Sequence, residues 1–183
     1  MRIRKWSTLN SDAVYRTPIF DLHRRRSGHP HRGQRDFFII EAPSWINIIP
    51  LTRKREVVMV RQFRHGIGRF TLEIPGGMVD PEDASPKAAA RREMIEESGY
   101  DSKDIIALGK MHPNPAIQPN ICYSYLARNV SQIAKPVSLG AEETEVVLVP
   151  VNKVRDLIAT GKITHALVIA AFSFFHVYKP PRR

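Results

Sequence analysis

Cysteine is almost absent from this 183-residue chain: there is one, Cys122. A single thiol excludes a disulfide framework within the chain and fits a reducing compartment, so a cytoplasmic location is expected. Long apolar runs are lacking too. The first residues, MRIRKWSTLNSD, hold no hydrophobic stretch of signal-peptide length. The longest apolar run, HALVIAAFSFFHVY from His165 to Tyr178, is too short to cross a bilayer. It reads as a buried core helix, and no membrane partner is expected. No internal repeat or low-complexity tract stands out. Negative charge is scarce: 18 Asp and Glu face 28 Lys and Arg, for a formal net charge of +10. That surplus suits a surface attracting phosphorylated small molecules or nucleic acid, and equally a plain solvated surface. The hydrophobic share of 43% is ordinary for a globular chain, and the length suits one domain with a small extra lobe.

Against this shortage of acid, the stretch RREMIEESGY concentrates three glutamates, Glu93, Glu96 and Glu97. It lies inside SPKAAARREMIEES, whose alanines and long straight side chains favour helix. Ser85 is placed to cap the start, Pro86 to occupy the first turn and Gly99 to end it. At about 100° per residue the three glutamates share one side, within roughly a third of the circumference. Taken alone, such a face is more often solvated surface than site, and like charges at this spacing repel by a few tenths of a kcal/mol. Arg92, four residues before Glu96, offsets part of that. A hard divalent cation with oxygen ligands would offset more.

The flanking pattern alters the balance. DFFIIEA, SWINIIPLT, REVVMVRQF and GRFTLEIPGG read as strands, the last ending in Gly76-Gly77, where backbone can approach a ligand closely. After the helix come DIIALGKM, NICYSYLA and ETEVVLVPV as strands, then NKVRDLIATG and the apolar run as helices. This order predicts an α+β fold, an α/β/α sandwich around a mixed β-sheet. Residues 1–35 form a looser N-terminal β extension. It holds a strand from Ala13 to Leu22 broken by Pro18, and RRRSGHPHRGQR, which reads as an exposed basic loop. Residues 36–183 form the main domain.

The glutamate region resembles the Nudix hydrolase family, whose signature is G-x5-E-x7-R-E-U-x-E-E-x-G-U with U bulky and apolar. The second half matches without a gap from Arg92 to Tyr100, the tyrosine standing where an aliphatic residue is usual. The first half departs. Counted from Gly77 the acidic position is Asp83, but counted back from Arg92 it is Ala84, so the loop MVDPEDAS is one residue longer than the signature and leaves Glu82 and Asp83 both open. EAPSWINIIPLT, VVMVRQFRHGIGRFTLEIPGGMVD and HPNPAIQPN further resemble the ADP-ribose pyrophosphatase branch. Pro115 fits that branch, sixteen residues beyond Gly99.

The resemblance implies Mg²⁺-dependent hydrolysis of the diphosphate in ADP-ribose or a related nucleoside diphosphate sugar, giving AMP and a sugar phosphate, with Mn²⁺ as a substitute ion. Glu93, Glu96 and Glu97 would hold the metal, with the Gly76 carbonyl as a further ligand. Arg92 would orient a box glutamate. Arg64, Gly77 and Pro115 would meet substrate. The catalytic base would come from the later loop LGAEETEVV, as Glu142 or Glu143; Glu145 reads equally well as an edge residue. A homodimer built through the N-terminal strands is implied as well. Other readings stay open: a Nudix hydrolase of capped RNA, dinucleoside polyphosphates or dinucleotide cofactors, motivated by the Arg24–Arg35 cluster, and a non-catalytic module binding nucleotide or nucleic acid. Trp45 and Cys122 read as core residues, and His65 and His112 have no metal-ligand spacing.

Overall fold

The computed structural model describes residues 2–137 and 143–179. The chain folds as two units, Met1–Ser44 with His112–Ile121, and Trp45–Met111 with Cys122–Arg183.

The first unit is a three-stranded antiparallel sheet of β1 (Ser7–Arg16), β2 (Asp21–His29) and β3 (Gly33–Glu41), in the order β1-β2-β3. Pro18 sits in the turn between β1 and β2, where Thr17 N–H donates to the Phe20 carbonyl at 3.0 Å. The basic stretch expected as an exposed loop instead forms the second half of the central strand β2, a turn at 30–32 and the start of β3. The β2 arginines are matched by carboxylates on both neighbours: Arg24 stands 3.8 Å from Asp12, Arg25 2.9 Å from Glu41 and Arg26 2.8 Å from Asp36. Cross-strand pairing of opposite charges stabilises a strand that local composition disfavours. Strand β3 runs straight through the boundary expected at 35/36. The segment His112–Ile121 joins this unit through the Ile40 N–H, which donates to the Ile117 carbonyl at 2.8 Å.

The second unit is an α/β/α sandwich. Its strands are β4 (Trp45–Thr52), β5 (Glu56–Arg64), β6 (Arg69–Glu73), β7 (Gly76–Met78), β8 (Tyr100–Asp101), β9 (Ile105–Met111), β10 (Cys122–Gln132) and β11 (Thr144–Pro150). The path is β11-β5-β4-β10-β8, with β6 beside β5, β7 beside β4 and β9 beside β10. The β4–β10 pair is parallel and the others are antiparallel, so the sheet is mixed. Alternation along the strands sends side chains to opposite faces. Ile46, Ile48 and Val58 pack against Ala89, Ala90 and Met94 of α1 (Pro86–Ser98). Ile49, Val57 and Met59 pack on the other face with Val154 of α2 (Val154–Ala159) and Val168, Ala171 and Phe172 of α3 (Ala166–Val177). The apolar run is therefore a helix with one fully buried stripe. Cys122 is buried, and burial pushes its thiol up to about 12.

Helix α1 forms as its caps predict. Ser85 Oγ accepts the Ala88 N–H at 3.2 Å, Pro86 occupies the first turn, and Gly99 at φ 74° closes the last turn by donating to the Ile95 carbonyl. Gly99 is further required because a Cβ there would collide with the Ala134 carbonyl oxygen.

Candidate active site

The buried stripe of α1 runs through Ala89, Ala90 and Met94 and continues into Glu97, which is only 8% exposed. The glutamate face is thus not a solvated surface. The helix comes down on the sheet by its small alanines, and this delivers its carboxylates to the strand β7 glycines. Gly76 N–H donates to Glu97 Oε2 at 3.1 Å. The Glu93 carboxylate lies directly against the Gly77 Cα, where any Cβ would overlap it. At Gly76 a Cβ would stand 2.6 Å from the Ile46 carbonyl oxygen, so that glycine permits the close pairing of β7 with β4. The two glycines serve different ends: Gly76 admits a backbone, Gly77 admits a carboxylate.

Arg92 organises the acidic groups. Its Nη1 donates to Glu93 at 2.9 Å and to Glu96 at 3.0 Å. Its Nε and Nη2 grip Asp83 at 3.2 and 2.9 Å, and Nη2 also reaches the Met78 carbonyl at 3.2 Å. Asp80 lies 3.1 Å away. The hydrogen bond with Asp83 is the main cause holding the guanidinium pKa above its ordinary value; burial opposes it, and the Glu93 charge adds to it. The same bond holds Asp83 below the usual carboxylate range. Of the two acidic loop residues left open by the sequence, Asp83 is the one Arg92 binds. The extra loop residue is absorbed in a turn, with Asp83 N–H donating to the Asp80 carbonyl and Asp80 N–H to the Asp83 carboxylate.

Burial raises the pKa of Glu93, against the opposing charge of Arg92. A desolvated carboxylate needs compensating charge, and a hard cation with oxygen donors meets that need. Glu93, Glu96 and Glu97 supply only oxygen, so the donor set fits such an ion. Among the described residues no three acidic, histidine or cysteine side chains already converge as a ligand set. Arg92 holds Glu93 and Glu96, and the Gly76 amide holds Glu97.

The remaining expected residues divide. Arg64 ends β5 and donates through Nε and Nη2 to Glu73 at 2.8 and 2.7 Å. Pro115 belongs to the first unit, in a turn where Asn114 accepts from Ile117 and Gln118. Glu143 is exposed, just before β11. Glu142 lies outside the described residues. Glu145 pairs with Arg61 at 3.3 Å, as an edge residue would. Sequence reasoning missed Asp80, and it missed Glu73, Thr71 and His165. One signal was available for Glu73: a charged residue set between the apolar Leu72 and Ile74, just before Pro75-Gly76-Gly77.

An α/β/α sandwich with a glutamate-bearing helix laid on a glycine pair defines a Nudix hydrolase. The chain belongs to that family, since the NUDIX domain model matches residues 43–172. The chain is 22% identical over 178 residues to the ADP-ribose pyrophosphatase of Bacillus subtilis, covering 97% of this chain and 96% of the relative. It is 24% identical over 182 residues to the GDP-mannose pyrophosphatase of Escherichia coli, covering 91% and 93%. A solved crystal structure described as an ADP compounds hydrolase superposes with a TM-score of 0.83 at 19% identity, covering 96% of this chain and 95% of that one. The last comparison establishes the fold.

Proposed function

We propose that the protein hydrolyses the diphosphate of a nucleoside diphosphate sugar, with ADP-ribose as first candidate, giving AMP and ribose 5-phosphate. The observation that carries this reading is the seating of Glu93 on Gly77 and of Glu97 on the Gly76 amide. Backbone and carboxylates meet there at a point a diphosphate could approach. Two full-length relatives named for nucleotide-sugar pyrophosphatases support the substrate class.

Glu93, Glu96 and Glu97, with the Gly76 carbonyl, would hold the divalent ion, Mg²⁺ or in its place Mn²⁺. Such an ion, when bound, neutralises diphosphate charge and favours attack of water on phosphorus. The chain's own residues do the rest. Arg92 orients Glu93 and Glu96 through its ion pairs. Gly77 leaves room for Glu93 and for the approach of substrate. Arg64 and Pro115 are proposed substrate contacts. Glu143 or Glu142 takes the proton of the attacking water, a role that requires hydrogen-bond reach to it.

The test is AMP release from ADP-ribose with Mg²⁺, wild type against Glu97→Gln. Turnover in the wild type that falls by two orders of magnitude or more in the variant is expected. GDP-mannose, assayed in parallel, decides between the two named substrate classes. A wild type inert on both sinks the reading.

Capped RNA and dinucleotides are second readings, and the structure weakens their motive. Arg24, Arg25 and Arg26 each face a carboxylate, so that part of the Arg24–Arg35 cluster is offset within the sheet. A homodimer through the N-terminal unit is also proposed. Leu9, Val14, Tyr15 and Ile19 are exposed on it, and β1 is exposed along its whole length. No described helix is long and apolar enough to cross a membrane. A cytoplasmic site of action is proposed on the single, buried thiol.

A further inference from the structure

Glu73 is an ionisable group in a place where strands usually carry apolar ones. It ends β6, its side chain is 3% exposed, and three side chains converge on it. Arg64 donates to both oxygens. Thr71 Oγ1 donates to Oε1, and His165 Nε2 stands 3.8 Å from Oε2. His165 is itself oriented: its Nδ1 accepts the Leu167 N–H at 3.2 Å and caps α3. With Nδ1 an acceptor, the neutral ring carries its proton on Nε2, the nitrogen facing Glu73. Burial pushes the Glu73 pKa up, but the bonds from Arg64 and Thr71 and the charge of Arg64 outweigh it, and the net direction is down.

Strand register says which way this network faces. Glu73 lies opposite Val60 on β5. Val58, two residues along, belongs to the cluster packed on α1. Alternation therefore puts Val58, Val60, Gln62 and Arg64 on the α1 face. Thr144 lies opposite Gln62, and its Oγ1 donates to the Glu97 carbonyl at 3.0 Å. Arg64 is next along β5 on that same face. Glu73, three residues before Gly76, leads the chain directly to the amide that holds Glu97.

A buried ion pair is weak evidence of a stabilising purpose, since packed apolar residues often do as well. Its use here is geometric. We infer that Glu73, backed by His165 and Thr71, is the positioning residue for Arg64, fixing the plane of its guanidinium fork on the site face so that it meets the anionic part of the substrate. This rests on the diphosphate-sugar reading. A planar fork recognises phosphate in one orientation, so holding that plane beforehand lowers the cost of binding.

The test is a double-mutant cycle of Glu73→Gln and Arg64→Lys. It is read as kcat and KM on the accepted nucleotide sugar, and as calorimetric Kd for ADP-ribose in EDTA, with Tm recorded for each variant. Each single variant is expected to raise KM and Kd about tenfold, with kcat within about threefold of wild type, as for loss of a charge-assisted contact. The double variant should be no worse than the worse single one. His165→Asn, which can still cap α3, should give a smaller rise in the same direction, and His165→Ala a larger one. Unchanged KM and Kd in Glu73→Gln, or additive effects in the double variant, would overturn the inference while wild-type turnover kept the parent reading. If Glu73→Gln does not fold, Arg64→Lys and His165→Asn decide, and wild-type Kd in both overturns it. A wild type that neither binds nor cleaves a nucleotide sugar removes the parent reading, and this inference with it.

Discussion

Gly77 and Gly76 are adjacent and chemically identical, yet they answer to different neighbours. A methyl group on Gly77 would meet the Glu93 carboxylate, the far end of a flexible side chain that can swing away. A methyl group on Gly76 would meet the Ile46 carbonyl, which belongs to β4 and cannot move without the sheet. Gly77→Ala should therefore fold with a Tm within a few degrees of wild type but lose activity by at least about tenfold, because Glu93 is displaced. Gly76→Ala should lose stability, by about 1–3 kcal/mol as for other overpacked sites. Thermal melts beside kinetic assays separate the two. Equal Tm losses in both would contradict the assignment of separate roles. Arg92 shows the same dependence on context. Its spacing in the sequence makes it a partner for one glutamate, and in the folded protein it ties Glu93, Glu96, Asp83 and Asp80 together. Asp83 was recognisable only as one of two candidates, because a loop one residue longer than the signature breaks the count. The turn between Asp80 and Asp83 resolves it.

Helix α1 is the element on which the site depends, and it was the most legible part of the chain. Its cap, proline, alanines and terminal glycine are local signals that act within a few residues of themselves. Its glutamates were harder, since three acidic residues on a helix are usually solvated. What takes them off the solvated surface is the alanine stripe that seats the helix on the sheet and carries Glu97 inward. Ser85→Ala should cost about 1 kcal/mol, the ordinary value of an N-cap, measured by denaturant unfolding. A loss below a few tenths would mean that packing alone holds the first turn. The β2 strand is the contrary case. RRRSGHP carries turn formers and like charges, and local reasoning reads it as loop. The carboxylates that make it a strand, Asp12, Asp36 and Glu41, come from β1 and β3.

For the whole molecule, the surplus of +10 is unevenly meaningful. Paired arginines of the N-terminal sheet contribute little outward field, since each has an acidic neighbour across the strand. The exposed apolar residues of the same unit say more. Light scattering should give twice the 20.9 kDa chain mass at micromolar concentration, and Tyr15→Lys with Leu9→Lys should shift it toward the monomer. A monomeric wild type would refute the dimer.

The amino-acid sequence by itself determined the longer strands and the helices from Asp36 onward, the caps of α1, the glycine pair and the Arg92–Gly99 signature, because each of these is written in neighbouring residues. It also placed the chain in its family. Tertiary structure alone decided that Glu97 is buried, that Asp83 is the acid Arg92 holds, that Arg64 is gripped by Glu73 with His165 beside it, and that a basic stretch is a strand. These depend on partners brought from far along the chain by sheet pairing and helix packing, whose register no local pattern encodes.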